Sequence, residues 1–210
     1  MKVKHKVVAV AIATLFAGVA FAQSGSQSKV TVDAINQSQS GLLNNQQMDL
    51  GNATAGGKSN VTASKINQSQ SGLLNSQKMA VGNADGKGSE SKVNVTGVNQ
   101  SQSGLLNNQQ MNLGNASGGG KSNVTASKIN QSQSGLLNSQ KMDIGNADSK
   151  GISKVNATNI NQSQSGLLNN QQMGIGNAAN GGKTDVNAKN INQSQSGLLN
   201  GQKMNVGNAN

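Results

Sequence analysis

The sequence predicts an all-β fold, a β-solenoid or cross-β stack of six strand–turn–strand repeats, each about 31 residues long. Three observations predict it. The string Asn-Gln-Ser-Gln-Ser-Gly-Leu-Leu-Asn occurs six times without a change, starting at Asn36, Asn67, Asn99, Asn130, Asn161 and Asn192. These starts lie 31, 32, 31, 31 and 31 residues apart, a spacing at which each unit buries its faces only against its neighbours. After each string, fixed and variable positions alternate with a period of two, which fits a strand and not a helix. The chain also contains no proline, which would remove a ladder donor from any layer it occupied.

Residues 1–22 read as a secretory signal peptide. Lys2, Lys4 and Lys6 form a basic start, Val7 to Val19 is an almost unbroken apolar and small-residue run, and Ala20-Phe21-Ala22 offers an A-x-A cleavage site. The run is too short to span a membrane. Cleavage after Ala22 would leave a secreted chain of residues 23–210 without a membrane span. Residues 23–28 are a short polar lead-in, and residues 29–210 are the six-repeat domain.

The leader takes His5, Phe16 and Phe21 with it, so the remaining chain has no aromatic residue, His, Cys, Pro or Arg. The usual transition-metal sites, and thiol or imidazole catalysis, are out of reach. Disulfides cannot support a thin core. No position of the repeat is acidic in all six copies, so neither an enzyme built on paired carboxylates nor a cofactor site is expected. Fourteen lysines against seven acids leave about +7, which reads first as a solvated surface that keeps a polar chain soluble and second as an attraction for anionic matrix polymers. Without arginine or aromatic platforms, specific nucleic-acid readout is not expected. So much Asn, Gln, Ser and Gly ordinarily suggests disorder. A disordered linker, however, has no need to keep one register through six copies.

Each repeat opens on polar–Val–polar–Val/Ala–polar, as in Lys29-Val30-Thr31-Val32-Asp33 and Asn60-Val61-Thr62-Ala63-Ser64, a period of two suited to a pleated strand. The phase breaks before the next aliphatic, Ile35 and its equivalents Ile66, Val98, Ile129, Ile160 and Ile191, which predicts a bulge or bend. Ile35, Gln37, Gln39 and Gly41 then share one face, and Asn36, Ser38 and Ser40 the other. Both faces are invariant, so both are expected to be constrained. Gly41 marks a tight turn or close backbone approach. Leu42 and Leu43 carry the chain around it into a second strand, where Gln46, Met48 and Leu50 face inward. Gly51-Asn52-Ala53 closes the unit. Gly- and Lys-rich linkers such as 54–58 and 117–121 read as exposed turns.

Stacking at about 4.8 Å places each amide over its counterpart, so the polar cost of burial is met by identical neighbours. The residues assigned to these ladders, with the turn glycine and the methionine beside them, begin with Gln37, Gln39, Gly41, Asn44, Gln46 and Met48. The second and third repeats supply Gln68, Gln70, Gly72, Asn75, Gln77 and Met79, then Gln100, Gln102, Gly104, Asn107, Gln109 and Met111. The fourth and fifth supply Gln131, Gln133, Gly135, Asn138, Gln140 and Met142, then Gln162, Gln164, Gly166, Asn169, Gln171 and Met173. Gln193, Gln195, Gly197, Asn200, Gln202 and Met204 complete the set. Ile35, Leu42, Leu43, Met48 and Leu50 are expected to form apolar columns beside the ladders.

Outward positions alternate between layers. Gln47, Gln110 and Gln172 stand in odd repeats, and Lys78, Lys141 and Lys203 in even ones, a pattern that fits equally a stack that avoids lysine on lysine and the duplication of a two-repeat block. The first and last repeats match the interior ones, which predicts uncapped ends and an open, head-to-tail homopolymer.

The Gln39-x-Gly41-x-x-Asn44 pattern, present six times, resembles the Gln-x-Gly-x-x-Asn heart of curlin repeats, the secreted amyloid fibre subunits of bacterial biofilms. The longer unit is similar in style to the other Gln/Asn-rich bacterial amyloid family, the Fap fibrils. The resemblance implies export unfolded, an outer-membrane export and nucleation system as partner, and polymerisation at the cell surface into fibres for adhesion and biofilm cohesion. The chain departs from the curlin pattern in its longer period and in Asp33 and Gln46, which replace that family's Ser and Ala. Two other readings stay open: a monomeric solenoid that binds a polysaccharide or ice, and a disordered matrix polymer.

Overall fold

The computed structural model describes residues 7–10, 17–22, 27–52, 57–86, 88–114, 117–118, 121–145, 147–148, 150, 152–176, 178–179 and 182–207. Nine strands follow in order: β1 (Val7–Val10), β2 (Ala17–Ala22), β3 (Gln27–Val32), β4 (Ile35–Asn52), β5 (Lys58–Val81), β6 (Glu90–Leu113), β7 (Lys121–Ile144), β8 (Ser153–Ile175) and β9 (Thr184–Val206). β3 and β4 together make the first coil of a β-solenoid, and β5 to β9 make one coil each. Every pairing is parallel, and the coils stack in register, with Gln37 on Gln68, Gln68 on Gln100, and so on to Gln162 on Gln193.

Each coil has three arms, one more than the expected strand–turn–strand arch. In β5 the pairing with β6 skips Lys65 and Leu73, and the chain bends at both. Lys65 has a φ of 54°, and its counterparts Gly97, Lys128, Asn159 and Asn190 are left-handed too. This is the phase break expected before Ile66, and Gly and Asn bear that conformation at least cost. The first arm presents Val61 and Ala63 inward, the second Ile66, Gln68 and Gln70, and the third Asn75, Gln77, Met79 and Val81.

Closure depends on the glycine that follows the third arm. A Cβ on Gly82 would stand 2.1 Å from Val93 Cγ2, so only glycine lets this turn pack against the first arm of the next coil. Ser91 donates its hydroxyl to the carbonyl of the same Gly82, tying the two arms together. Ser59, Ser122 and Ser153 repeat the bond to Gly51, Gly114 and Gly145. The core between the arms is one column-wise cluster of Val, Ile, Leu, Met and Ala.

Four expectations need correction. Leu42, Leu43 and their copies form columns on the surface, not beside the inner ladders: the eight interior leucines are 40–45% exposed. The Asn44 amide swings inward across the turn, and the two residues between Gly41 and Asn44 are thrown outward. The Asn36, Ser38 and Ser40 face is likewise exposed, so no second buried layer constrains it. Lys58 and Lys121, expected in linker turns, begin β5 and β7; residues 54–56 and 119–120 of those linkers lie outside the described residues. Finally, the first coil is not bare: β1 and β2 pair with β4 at Ile35–Ser38 and from Gln46 to Asn52. An apolar, Val-rich segment next to an open parallel edge adds to it as any compatible strand would.

Candidate functional site

The candidate site is the pair of edges at which the stack starts and stops, together with the ladders that run between them. Three glutamine ladders cross all six coils. In the first, each Nε2 donates to the Oε1 of the coil before, from Gln68 to Gln37 at 2.7 Å through Gln193 to Gln162 at 2.9 Å. The Gln39 and Gln46 columns do the same at 2.7–3.0 Å. The Asn44 column runs in the opposite sense, with each Nδ2 donating to the Oδ1 of the coil after at 2.9 Å. In the four interior coils each of these buried amides therefore meets an identical group above and below, which removes the 1–3 kcal/mol or so that an unpaired buried polar atom costs.

The turn glycines hold the layers at this spacing. A Cβ on Gly72 would lie 1.7 Å from the Gly41 carbonyl oxygen, and Gly104, Gly135, Gly166 and Gly197 repeat the clash at 1.6–1.7 Å. The Asn44 amide also donates to the Ser71 carbonyl at 2.8 Å, which locks the turn to the next coil.

At the far edge, β9 pairs with β8 alone. Met204 is 41% exposed and Val206 46%, where the equivalent Met48 to Met173 and Leu50 to Ile175 are 0–1% exposed. At the near edge, among the described residues, β1 and β2 leave residues 39–45 of β4 without a strand partner on that side, and β3 pairs only with β5. Three buried side-chain polar atoms lack a partner among the described residues, and two of them are on the first coil: Ser28 Oγ and Gln37 Nε2. The register partner of Gln37 in β1 is Ala9.

Outside the core, charges alternate as expected, with Lys78 between Gln47 and Gln110, and Lys141 between Gln110 and Gln172. Lys58–Glu90 at 3.3 Å and Lys154–Asp185 at 3.6 Å are ion pairs between neighbouring coils. The Leu43 column lines a surface groove of about 930 Å³ with Asn44, Asn75 and their copies. Among the described residues no cluster of three or more His, Cys, Asp or Glu could hold a metal.

The assigned residues thus fall into place as columns. Those of the first five coils are buried, apart from the turn glycines, whereas those of the last stand partly or wholly open. Sequence reasoning missed the serine of the first arm, Ser28 and its equivalents, although its recurrence at the same offset before Val30 in five of six repeats was a usable signal. Comparison with protein-family models, curated proteins and solved structures finds no match for this chain.

Proposed function

We propose that this chain is a structural subunit that adds head to tail to further copies of itself, forming an extracellular amyloid fibre for biofilm matrix and adhesion. One observation carries the reading. The last coil leaves open the same methionine, aliphatic and glutamine columns that every interior coil buries under the next. A seventh coil laid in register would bury them as coils two to six bury theirs. Any copy that supplies this coil ends in another open one, so the contact is heterologous and does not close. The resemblance of the repeat to curlin units points the same way.

On this reading residues 1–22 direct export and are then removed, and β4's edge is freed with them. An outer-membrane export and nucleation system would deliver the chain. The exposed lysines give the finished fibre affinity for anionic matrix polymers.

The test follows thioflavin fluorescence of the full-length chain and of a form beginning at Gln23, with electron microscopy and fibre diffraction of the products. Fibres with a reflection at about 4.7–4.8 Å are expected from at least the shorter form. If both forms stay monomeric and folded, the reading is overturned, and the outward rows become candidate ligand surfaces.

A further inference from the structure

The two ends of the stack carry side chains that fit one another and not themselves, and from this we infer the partner and the register of docking. A second copy of this chain places its first coil on the last coil of the copy before, with Lys29 on Asp185, Asp33 on Lys189 and Gln37 on Gln193. The inference rests on the assembly reading above and adds its register, polarity and charge code.

The columns show it directly. Through the stack, the Lys29 position reads Lys29, Asn60, Lys92, Asn123, Lys154, Asp185, and the Asp33 position reads Asp33, Ser64, Thr96, Ser127, Thr158, Lys189. The second column is uncharged in all four interior coils. Only the end coils charge both positions, and they do so with the signs exchanged. A seventh coil in register therefore sets opposite charges together twice. The contact has a precedent inside the chain, because Lys154 already lies 3.6 Å from Asp185 in the first of these columns. The Gln–Lys alternation also survives the junction: six coils is an even number, so Lys203 falls on Gln47.

The hydrogen bonds match as well. Each Nε2 of the Gln37 column donates to the coil before, and Gln37 Nε2, the buried atom that begins the series, has no partner. Gln193 Oε1 ends the same column. Ser59, Ser91, Ser122 and Ser153 each donate to the closing glycine of the coil before, whereas Ser28 Oγ is buried and unpartnered. Gly207 is the closing glycine of the last coil. Both orphan donors therefore meet their acceptors on a preceding copy. Two first coils, or two last coils, facing one another across a two-fold axis would run antiparallel and lose every column.

The test exchanges charges in whichever form assembles, on a Lys65→Asn and Lys154→Asn background that serves as the wild-type reference. Lys65 lies 3.8 Å from Asp33 and Lys154 3.6 Å from Asp185 within the chain, so a lysine placed at residue 33 or 185 would otherwise meet them. A first-coil exchange (Lys29→Asp with Asp33→Lys) and a last-coil exchange (Asp185→Lys with Lys189→Asp) each set like charges together at the junction. Seeded elongation in low salt is expected to slow about ten-fold or more for each, and the difference should shrink at ~0.5 M salt. Combining all four substitutions restores complementarity. That chain should elongate its own seeds near the wild-type rate, yet neither accept wild-type seeds nor be accepted by wild-type chain. An interior exchange, Lys92→Asp with Thr96→Lys, alters a coil with neutral neighbours and should elongate normally. Should either single exchange lose its β signal by circular dichroism, the four-substitution chain still decides through its seed preference. If it elongates wild-type seeds as readily as its own, or if the single exchanges match wild type, the register is wrong while the assembly reading stands. If wild type forms no fibre, both fall.

Discussion

Gln109 Nε2 donates to Gln77 Oε1 at 2.8 Å, and Gln109 Oε1 accepts from Gln140 Nε2 at 2.7 Å, all three residues being 0–1% exposed. Gln109 is thus a donor downward and an acceptor upward. Gln109→Glu keeps the acceptor and turns the donor into a second oxygen facing Gln77 Oε1. A buried, half-paired carboxylate should cost on the order of 3 kcal/mol at neutral pH. Burial raises the carboxyl pKa in the folded state, so the protonated form supplies the missing donor. The deficit should therefore be smallest below about pH 4, the ordinary Glu value, grow as pH rises from there to the raised folded value, and stay constant above it. Denaturant titrations of the variant and the parent at several pH values check this. A deficit that does not change with pH would count against the ladder polarity.

Gly104 and Gly201 separate close approach from composition. A Cβ at Gly104 would meet the Gly72 carbonyl oxygen at 1.6 Å, whereas the nearest atom to one at Gly201 is 3.8 Å away. Gly104→Ala should open a gap between the second and third coils and cost more than ~3 kcal/mol, enough to broaden or split the unfolding transition. Gly201→Ala should change stability by less than about 0.5 kcal/mol, since Ser76 and Ser139 already occupy the equivalent position. Thermal melts of the two variants make the comparison.

Much of this arrangement was legible in the sequence. Gln46, Met48 and Leu50 recur every second residue among variable neighbours, and a period of two fixes the inward face without reference to tertiary structure. The bend before Ile66 shows as a phase break, and the turn at Gly41 as an invariant glycine between polar runs. The packing that shuts each coil against the next was not legible, because it sets Gly82 against Val93, eleven residues apart, and nothing local marks that contact. Leu42 and Leu43 misled because apolar character was read as burial. At this turn the inward place goes to Asn44, whose amide bonds the Gly41 and Ser71 carbonyls and the Asn75 side chain. One asparagine that satisfies three acceptors outweighs two leucines left on the rim.

That trade is measurable. Met111 is fully buried, while Leu105 is 42% exposed. Met111→Ala removes side-chain volume from between two layers that cannot close on it, and should cost about 2–5 kcal/mol. Leu105→Ala removes a side chain that already faces water along much of its length, and should cost under ~1 kcal/mol. Urea midpoints of the two variants give the order. Equal losses would place the leucine column inside.

The near edge makes the last prediction. β1 and β2 occupy β4 at two stretches, with Ala9 in register with Gln37, and Gln37 Nε2 still finds no partner among the described residues. Burying that donor unpaired costs roughly 1–3 kcal/mol. A glutamine-bearing coil from another copy would satisfy it. The leader strands are therefore a poorer cover for the first coil than a second copy, though their presence still forces an exchange before a new coil can add. The full-length chain should nucleate more slowly than the form beginning at Gln23, with a lag several times longer at equal concentration. Once seeded, it should elongate at its first coil at a rate that depends on leader release. Ala9→Gln sets a glutamine in register with Gln37, as in the coil-to-coil ladders, and should lengthen the lag of the full-length form further while leaving the shorter form, which lacks residue 9, unchanged. Equal lags for the full-length chain and its Ala9→Gln variant would show that the register of β1 does not govern access to the first coil.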